Sequence, residues 1–355
     1  MKNLLKYKGL LEEKTVDAIL LTSMVNRFYA AEYNISEGAA VICRDRSYYF
    51  TDSRYIEDAE KNLPDFTVLM TDATHTYVIR INDAIAENSV QTLGFEENYL
   101  TYAEFMRYSE QLNAKLIPYQ KPISAFREIK EAWELERMRK AQDITDKTFD
   151  DMCKIIKPGM TERELAAELI YRLSQNGADG PAFKPIVITG TKTSMPHGVP
   201  GDKVVQEGDF VTMDFGAAYK GYCADMTRTV AVGYATDEMK KVYSTVLEAQ
   251  LAGLAATKAG VPGKDIDSAA RKVITDAGYG AYFGHGYGHG VGIEIHESPN
   301  PNPANPEPMP VGAICSAEPG IYIPDKFGVR IEDVVIYTED GYENITHSPK
   351  HLIIL

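Results

Sequence analysis

Four carboxylates and one imidazole carry the chemistry that can be read from this chain. Asp214 lies in FVTMDF (210–215) and Asp225 follows 11 residues later; Glu318 lies in SAEPG (316–320) and Glu332 follows 14 residues later. His289 sits in GHGYGHGVG (284–292), where glycine occupies every even position. Asp214 interrupts an apolar strand pattern, and an uncompensated carboxylate there costs several kcal/mol or takes up a proton. An ion pair, for instance to Arg228, would satisfy one such acid; a metal site satisfies all four together. Read as a strand, 284–292 carries His285, Tyr287, His289 and Val291 on one face and bare backbone on the other. Such glycines admit a ligand or a second backbone. The spacing is not that of a dinucleotide fingerprint. Carboxylate and imidazole donors without a thiolate suit Mn, Co, Fe or Zn better than a structural zinc site. Five donors are too many for one ion that must keep an open position. Two ions about 3.5–4 Å apart would use the whole set, acidify a shared water and polarise a carbonyl. That is the chemistry of amide hydrolysis.

The elements that must position these residues form an internal repeat. At a shift of 101 residues Lys157 meets Lys258, Gly159 meets Gly260, Leu165 meets Ile266, Leu173 meets Ile274 and Gly177 meets Gly278. Each copy reads as a helix, a Pro/Gly turn and a second helix ending at a C-cap glycine. At a shift of 104, MDFG (213–216) meets AEPG (317–320), so Asp214 stands opposite Glu318. Two such halves would converge their paired acids on one central site. The first pair reads as a hairpin: strand Phe210–Phe215, turn Ala217–Gly221, return Tyr222–Val232. The GIEIHE segment after the glycines reads as strand. Its parity places His296 opposite His289, so a bend is needed if both face one site.

Ahead of the repeat, short buried strands are expected at Ala18–Thr22, Ala39–Cys43, Tyr48–Thr51, Thr67–Met70 and Lys115–Pro118. Amphipathic helices are expected at Leu4–Lys14 and Thr76–Glu87, and a long charged one at Glu131–Ile156. The stretch PYQKPISAFREIK, with Pro118 and Pro122, breaks the pattern and places a domain boundary near residue 125. The fold class is α/β (α+β), with domains 1–125 and 126–355. At 355 residues and 44% hydrophobic, the chain can build two cores. A net charge of −14 argues against nucleic acid or an anionic membrane as partner. No apolar run approaches the ~18 residues of a membrane span. The N-terminus reads as a surface helix rather than a signal peptide. Cys43, Cys153, Cys223 and Cys315 form no C-x-x-C pair, which fits a reducing cytoplasm. Cys315 is expected as a small buried hydrophobe, and His75, His347 and His351 as surface residues. Pro299–Pro310, with six prolines in twelve residues, reads as a stiff loop at the rim of the site.

The segments MDFGAAYKGYCADMTRT (213–229), GHGYGHGVGIEIHE (284–297), SAEPGIYIP (316–324) and GVRIEDVV (328–335) together resemble the pita-bread metallopeptidases, nearest the prolidase and aminopeptidase P branch. FTDSRY (50–55) is similar to the creatinase-type N-terminal domain. The resemblance implies a creatinase-like α/β domain followed by a pseudo-twofold pita-bread catalytic domain. It implies two divalent ions, Mn before Co, Zn or Fe, on Asp214, Asp225, His289, Glu318 and Glu332. It gives His197, in SMPHGVP, a place lining the substrate site. It assigns His296 to the scissile group and the tetrahedral intermediate, and Glu318 to proton transfer. His285, Tyr322 and Arg330 fall on supporting or substrate-side positions. Arg54 and Tyr55 would reach a site across a homodimer. The implied substrate is a peptide with proline second, cleaved before the proline, as a dipeptide or as a longer chain. A methionine-aminopeptidase-like enzyme is disfavoured by the N-terminal domain and by DMTRT and IHE. A non-catalytic peptide-binding protein is disfavoured because all five donors are present.

Overall fold

The computed structural model describes residues 2–355. They divide into two compact units, residues 2–126 and 127–355. The first unit is a six-stranded mixed sheet: β1 Ala18–Leu21, β2 Ala39–Cys43, β3 Ser47–Thr51, β4 Thr67–Met70, β5 Thr92–Phe95 and β6 Lys115–Pro118. Their order is β4-β3-β2-β1-β5-β6. β1 and β2 are buried along their whole length, which explains their unbroken apolar runs. Helices α1 Lys2–Glu12, α2 Met24–Ala31, α3 Ile56–Asn62, α4 Tyr77–Glu87 and α5 Tyr102–Gln111 surround the sheet in sequence, followed by α6 Gln120–Glu128. That last helix corrects the reading of PYQKPISAFREIK as a broken stretch. Pro122 sits in the first turn of α6, where a missing N–H forfeits no intrahelical bond.

The second unit contains the repeat. α7 (Ala132–Cys153) and α8 (Glu162–Gln175) belong to one half, α9 (Asp237–Ala256) and α10 (Gly263–Asp276) to the other. Both second helices end alike. Gly177 and Gly278 take φ of 102° and 87°, and the next residues, Ala178 and Tyr279, donate back to Leu173 and Ile274, each at 3.0 Å. Each half owns a core. Leu165, Leu169 and Leu173 pack with Val211 and Met213; Ile266, Ala270 and Ile274 pack with Cys315, Ile321 and Val335. Cys315 is thus a core residue.

The first half carries β7 Gly180–Pro181, β8 Ile186–Thr189, β9 Phe210–Phe215, β10 Ala217–Tyr219, β11 Tyr222–Cys223 and β12 Met226–Ala231. The second carries β13 Ile314–Ala317, β14 Gly320–Ile323, β15 Phe327–Arg330, β16 Asp333–Tyr337 and β17 Tyr342–Asn344. β12-β9-β8 form one sheet and β13-β16-β17 another. The expected single hairpin is stepped. Residues read as its turn form β10, which pairs with β7 and β11, so only two residues make the reversal. Arg228 does not reach Asp214. Its guanidinium is buried against Asp333 at 2.7 Å and against the carbonyls of Ser348 and Pro349, tying the C-terminal segment beneath β12 and β16. Burial would raise the Asp333 carboxyl, but Arg228 and Lys350 more than offset it, and Asp333 titrates below the usual range. Among the described residues no helix is long and apolar enough to cross a membrane.

Candidate metal centre

The four acids sit at matched strand ends. Asp214 is next to last in β9, and Asp225 immediately precedes β12, its antiparallel partner. Glu318 immediately follows β13, and Glu332 immediately precedes β16, its antiparallel partner. Thr227 stitches the halves together: its carbonyl accepts from Glu332 N at 3.1 Å and its hydroxyl donates to Glu332 Oε2 at 2.7 Å. The repeat therefore delivers one acid pair from each half to one place.

His289 arrives differently from the expectation. Residues 284–292 form no strand, only isolated bridges at Gly290. Three of their amides go to side chains, Tyr287 N to Asp267, His289 N to Ser316 Oγ and Gly290 N to Asn300 Oδ1, while Val291 N bonds Ile314 O and the carbonyls of His289 and Tyr287 accept from Ser316 N and Glu318 N. Tyr287 turns into the core under α9 while His285 and His289 face the cavity. The glycines serve a close approach. A Cβ on Gly288 would lie 2.0 Å from the Ser316 carbonyl oxygen. Gly288→Ala is expected to cost roughly 3 kcal/mol, the upper end of overpacking penalties, seen as a lower denaturation midpoint; an unchanged midpoint would refute this packing account. GIEIHE is bent rather than extended. Glu297 N returns to Gly290 O at 3.0 Å, which brings the rings of His289 and His296 to 4.1 Å.

These residues enclose a cavity of about 370 Å³, lined wholly by the second unit. Asp214, Asp225, His289, Glu318 and Glu332 occupy its floor, and His197, His285, His296 and Arg330 its walls. Tyr322 lies behind His285. Arg54 belongs to the first unit, where it is exposed and paired with Asp52 at 2.6 Å. His75, His347 and His351 are exposed. Lining residues that spacing did not single out are Phe183, Ile186, Ile295, Asn300 and Asn302. The two asparagines come from the proline-rich segment 299–310, which thus reaches the rim.

Ligand-type atoms of Asp225, His289 and Glu332 lie within 4.8 Å of one another. His289 Nε2 is 3.5 Å from Asp225 Oδ2 and 3.3 Å from Glu318 Oε1. Its Nδ1 stands 3.1 Å from the Gly290 carbonyl. A carbonyl only accepts, so the proton of the neutral ring is on Nδ1 and the Nε2 lone pair faces the acids. Burial lowers the His289 pKa, which favours that neutral form. Burial, reinforced by the charges of neighbouring acids, raises Asp225 and Glu332 well above the carboxylate range. Burial also raises Glu318, against the pull of His285 and Arg330. Asp225 Oδ1 and Glu332 Oε1 are buried with no hydrogen-bond partner. Orphaned oxygens of this kind cost about 1–3 kcal/mol each or more when charged. The donor set therefore fits divalent cations, which would satisfy both oxygens and cancel the repulsion.

A polar relay flanks this floor. Arg330 binds Asp214 Oδ2 at 2.5 Å, Thr227 Oγ1 at 2.9 Å and Tyr322 Oη at 2.8 Å. His285 Nδ1 points at the Gly286 carbonyl at 2.8 Å, so its Nε2 accepts from Tyr322 Oη at 2.9 Å. Each member thereby fixes the tautomer or orientation of the next.

Residues 136–339 match Metallopeptidase family M24, and residues 4–129 match the Creatinase/Prolidase N-terminal domain. An uncharacterized peptidase of Bacillus subtilis is 40% identical over 351 residues, 99% of each chain. The structure of an Xaa-Pro dipeptidase from Bacillus anthracis superposes with a TM-score of 0.95 at 40% identity, covering 100% of this chain and 99% of that one. An X-Pro aminopeptidase from Thermotoga maritima gives 0.91 at 36% identity, covering 99% and 100%. The α/β fold expected from the sequence is borne out, and the chain belongs to metallopeptidase family M24, a hydrolase with a creatinase/prolidase N-terminal domain ahead of its metallopeptidase domain.

Proposed function

We propose that this protein hydrolyses the peptide bond preceding proline, with Xaa-Pro dipeptides as the favoured substrates. The observation that carries the reading is the enclosed floor of four acids and His289, with two buried carboxylate oxygens left for a cation. The preference for proline is supported by the similarity to an Xaa-Pro dipeptidase along the whole chain. Two divalent ions on Asp214, Asp225, His289, Glu318 and Glu332 would acidify water and polarise the scissile carbonyl. Glu318 takes a proton at its carboxylate and returns it to the leaving imide nitrogen. His296, exposed at the cavity wall, donates to the developing oxyanion, and His197 lines the substrate's path. Arg330, Tyr322 and His285 hold Asp214 and the adjoining wall in register. Manganese, a homodimer to which Arg54 contributes, and a cytoplasmic location complete the reading. The first two rest on the family resemblance; the last rests on four cysteines that are all free.

The aminopeptidase reading is favoured by the similarity to the Thermotoga enzyme. Hydrolysis of Xaa-Pro and of Xaa-Pro-Yaa peptides, with Mn added, separates the two. We expect the dipeptide to be cleaved. Cleavage of the longer peptide alone would establish the aminopeptidase, and inertness toward both in the metal-loaded protein would defeat the proposal.

A further inference from the structure

His296 is carried by a loop whose inner side contains buried charge that the chemistry above does not use. Glu297, the next residue, has a side chain only 3% exposed, and it binds the Lys130 ammonium, 1% exposed, at 2.6 Å. Arg127 adds a second cation, 3.5 Å from Glu297 and 2.7 Å from Glu294. The loop is wrapped closely around this carboxylate: a Cβ on Gly292 would lie 2.1 Å from Glu297 Oε1. The loop is also held by Glu297 N to Gly290 O at 3.0 Å, Cys223 N to Gly292 O at 2.7 Å and Cys223 Sγ to Ile293 O at 3.4 Å. Side chains 295 and 296 project from it into the cavity.

Stability does not account for such a pair. Desolvating two charges is expensive, and apolar side chains of similar volume often do as well or better. An ion pair does fix direction. Lys130 and Glu297 lie 167 positions apart, so their bond ties the start of the second unit to the loop bearing His296. We propose that Lys130 and Glu297 are positioning residues for His296, holding its imidazole at the distance the reaction requires. The proposal rests on the role given to His296 above.

The test is a cycle of the full-length, metal-loaded protein: Glu297→Gln, His296→Ala and the two combined, assayed on an Xaa-Pro dipeptide. Misplacing a reacting group by about 1 Å costs up to ~100-fold in rate, so Glu297→Gln is expected to lower kcat roughly 10- to 100-fold with KM within about 2-fold. Placed on His296→Ala, it should lower kcat no further, because the group it positions is gone. Amide hydrogen exchange of segment 292–298 should rise in Glu297→Gln. An unchanged kcat, or a loss that multiplies fully with that of His296→Ala, would overturn the proposal. If Glu297→Gln does not fold, Lys130→Met/Glu297→Gln removes both charges and carries the same cycle. There, restored stability without restored kcat supports positioning, and restoration of both overturns it. Undiminished turnover in His296→Ala alone would instead defeat the role assigned to that histidine.

Discussion

Glu318→Ala is expected to reduce kcat on Xaa-Pro dipeptides by roughly 10³–10⁴-fold, the range typical of a lost general acid–base group, while the protein stays folded. The residue combines two positions that are hard to replace. Its Oε1 is 3.3 Å from His289 Nε2 and 3.3 Å from Ser316 Oγ, so it touches the donor cluster, and it also faces the open cavity. The fold should tolerate the change. Asp225 and Glu332 are both raised by burial and, in part, by the Glu318 charge, so removing that charge relieves repulsion. The metal-free variant should therefore melt no lower than the metal-free parent. Glu318→Gln keeps the volume and should lose turnover almost as completely, which separates proton transfer from packing. Turnover unchanged in the metal-loaded alanine variant would remove Glu318 from the mechanism.

The acids were legible because they violate local rules. Asp214 sits in an apolar strand and Glu318 follows one, and such carboxylates demand a partner. The repeat then made them pairs, and the register β9–β12 and β13–β16 places them at equivalent strand ends. Glycine alternation marks the segment of His289, but alternation cannot say that the amides of Tyr287, His289 and Gly290 bond to side chains. Which arginine faces Asp214 is not legible in the sequence, for a simple reason. Arg228 and Arg330 are both basic residues on strands beside acids, and only packing decides that Arg228 turns to Asp333 and Arg330 to Asp214. Lys130 and Glu297 left no trace, since no periodicity links residues so far apart. In the first unit, the apolar runs of β1 to β4 were readable, whereas the mostly polar α5 and the proline-bearing α6 were not. α5 starts at a capping box of Thr101 and Glu104, and α6 carries Pro122 in its first turn, where proline breaks no intrahelical bond.

Removing divalent ions with a chelator is expected to abolish hydrolysis and to destabilise the protein, with both effects reversed by Mn. A ligand that binds only the folded state contributes ~3 kcal/mol at about 100 times its Kd, which for a unit of this size corresponds to a fall in Tm of roughly 5–10 °C. The pH dependence of that fall follows from the acids. In the metal-free fold Asp225, Glu332 and Glu318 titrate above the ordinary carboxylate range, burial being the largest cause for each. The folded state therefore binds more protons than the unfolded chain once pH exceeds the unfolded value near 4. Their contribution to stability is complete below that pH and is lost as pH rises through the raised folded values. Asp333, held low by Arg228 and Lys350, acts in the opposite sense and weakens the fold as acid is added, but it does so with or without metal. The difference between metal-loaded and metal-free Tm isolates the first group. It should widen as pH rises above about 4, the unfolded carboxylate value, because protons leave the acids and cations then replace them. Scanning calorimetry of both forms across that range is the measurement. A gap independent of pH would mean that the buried acids do not hold the ion, and no gap at any pH would return the chain to the reading of a protein that binds peptides without metal.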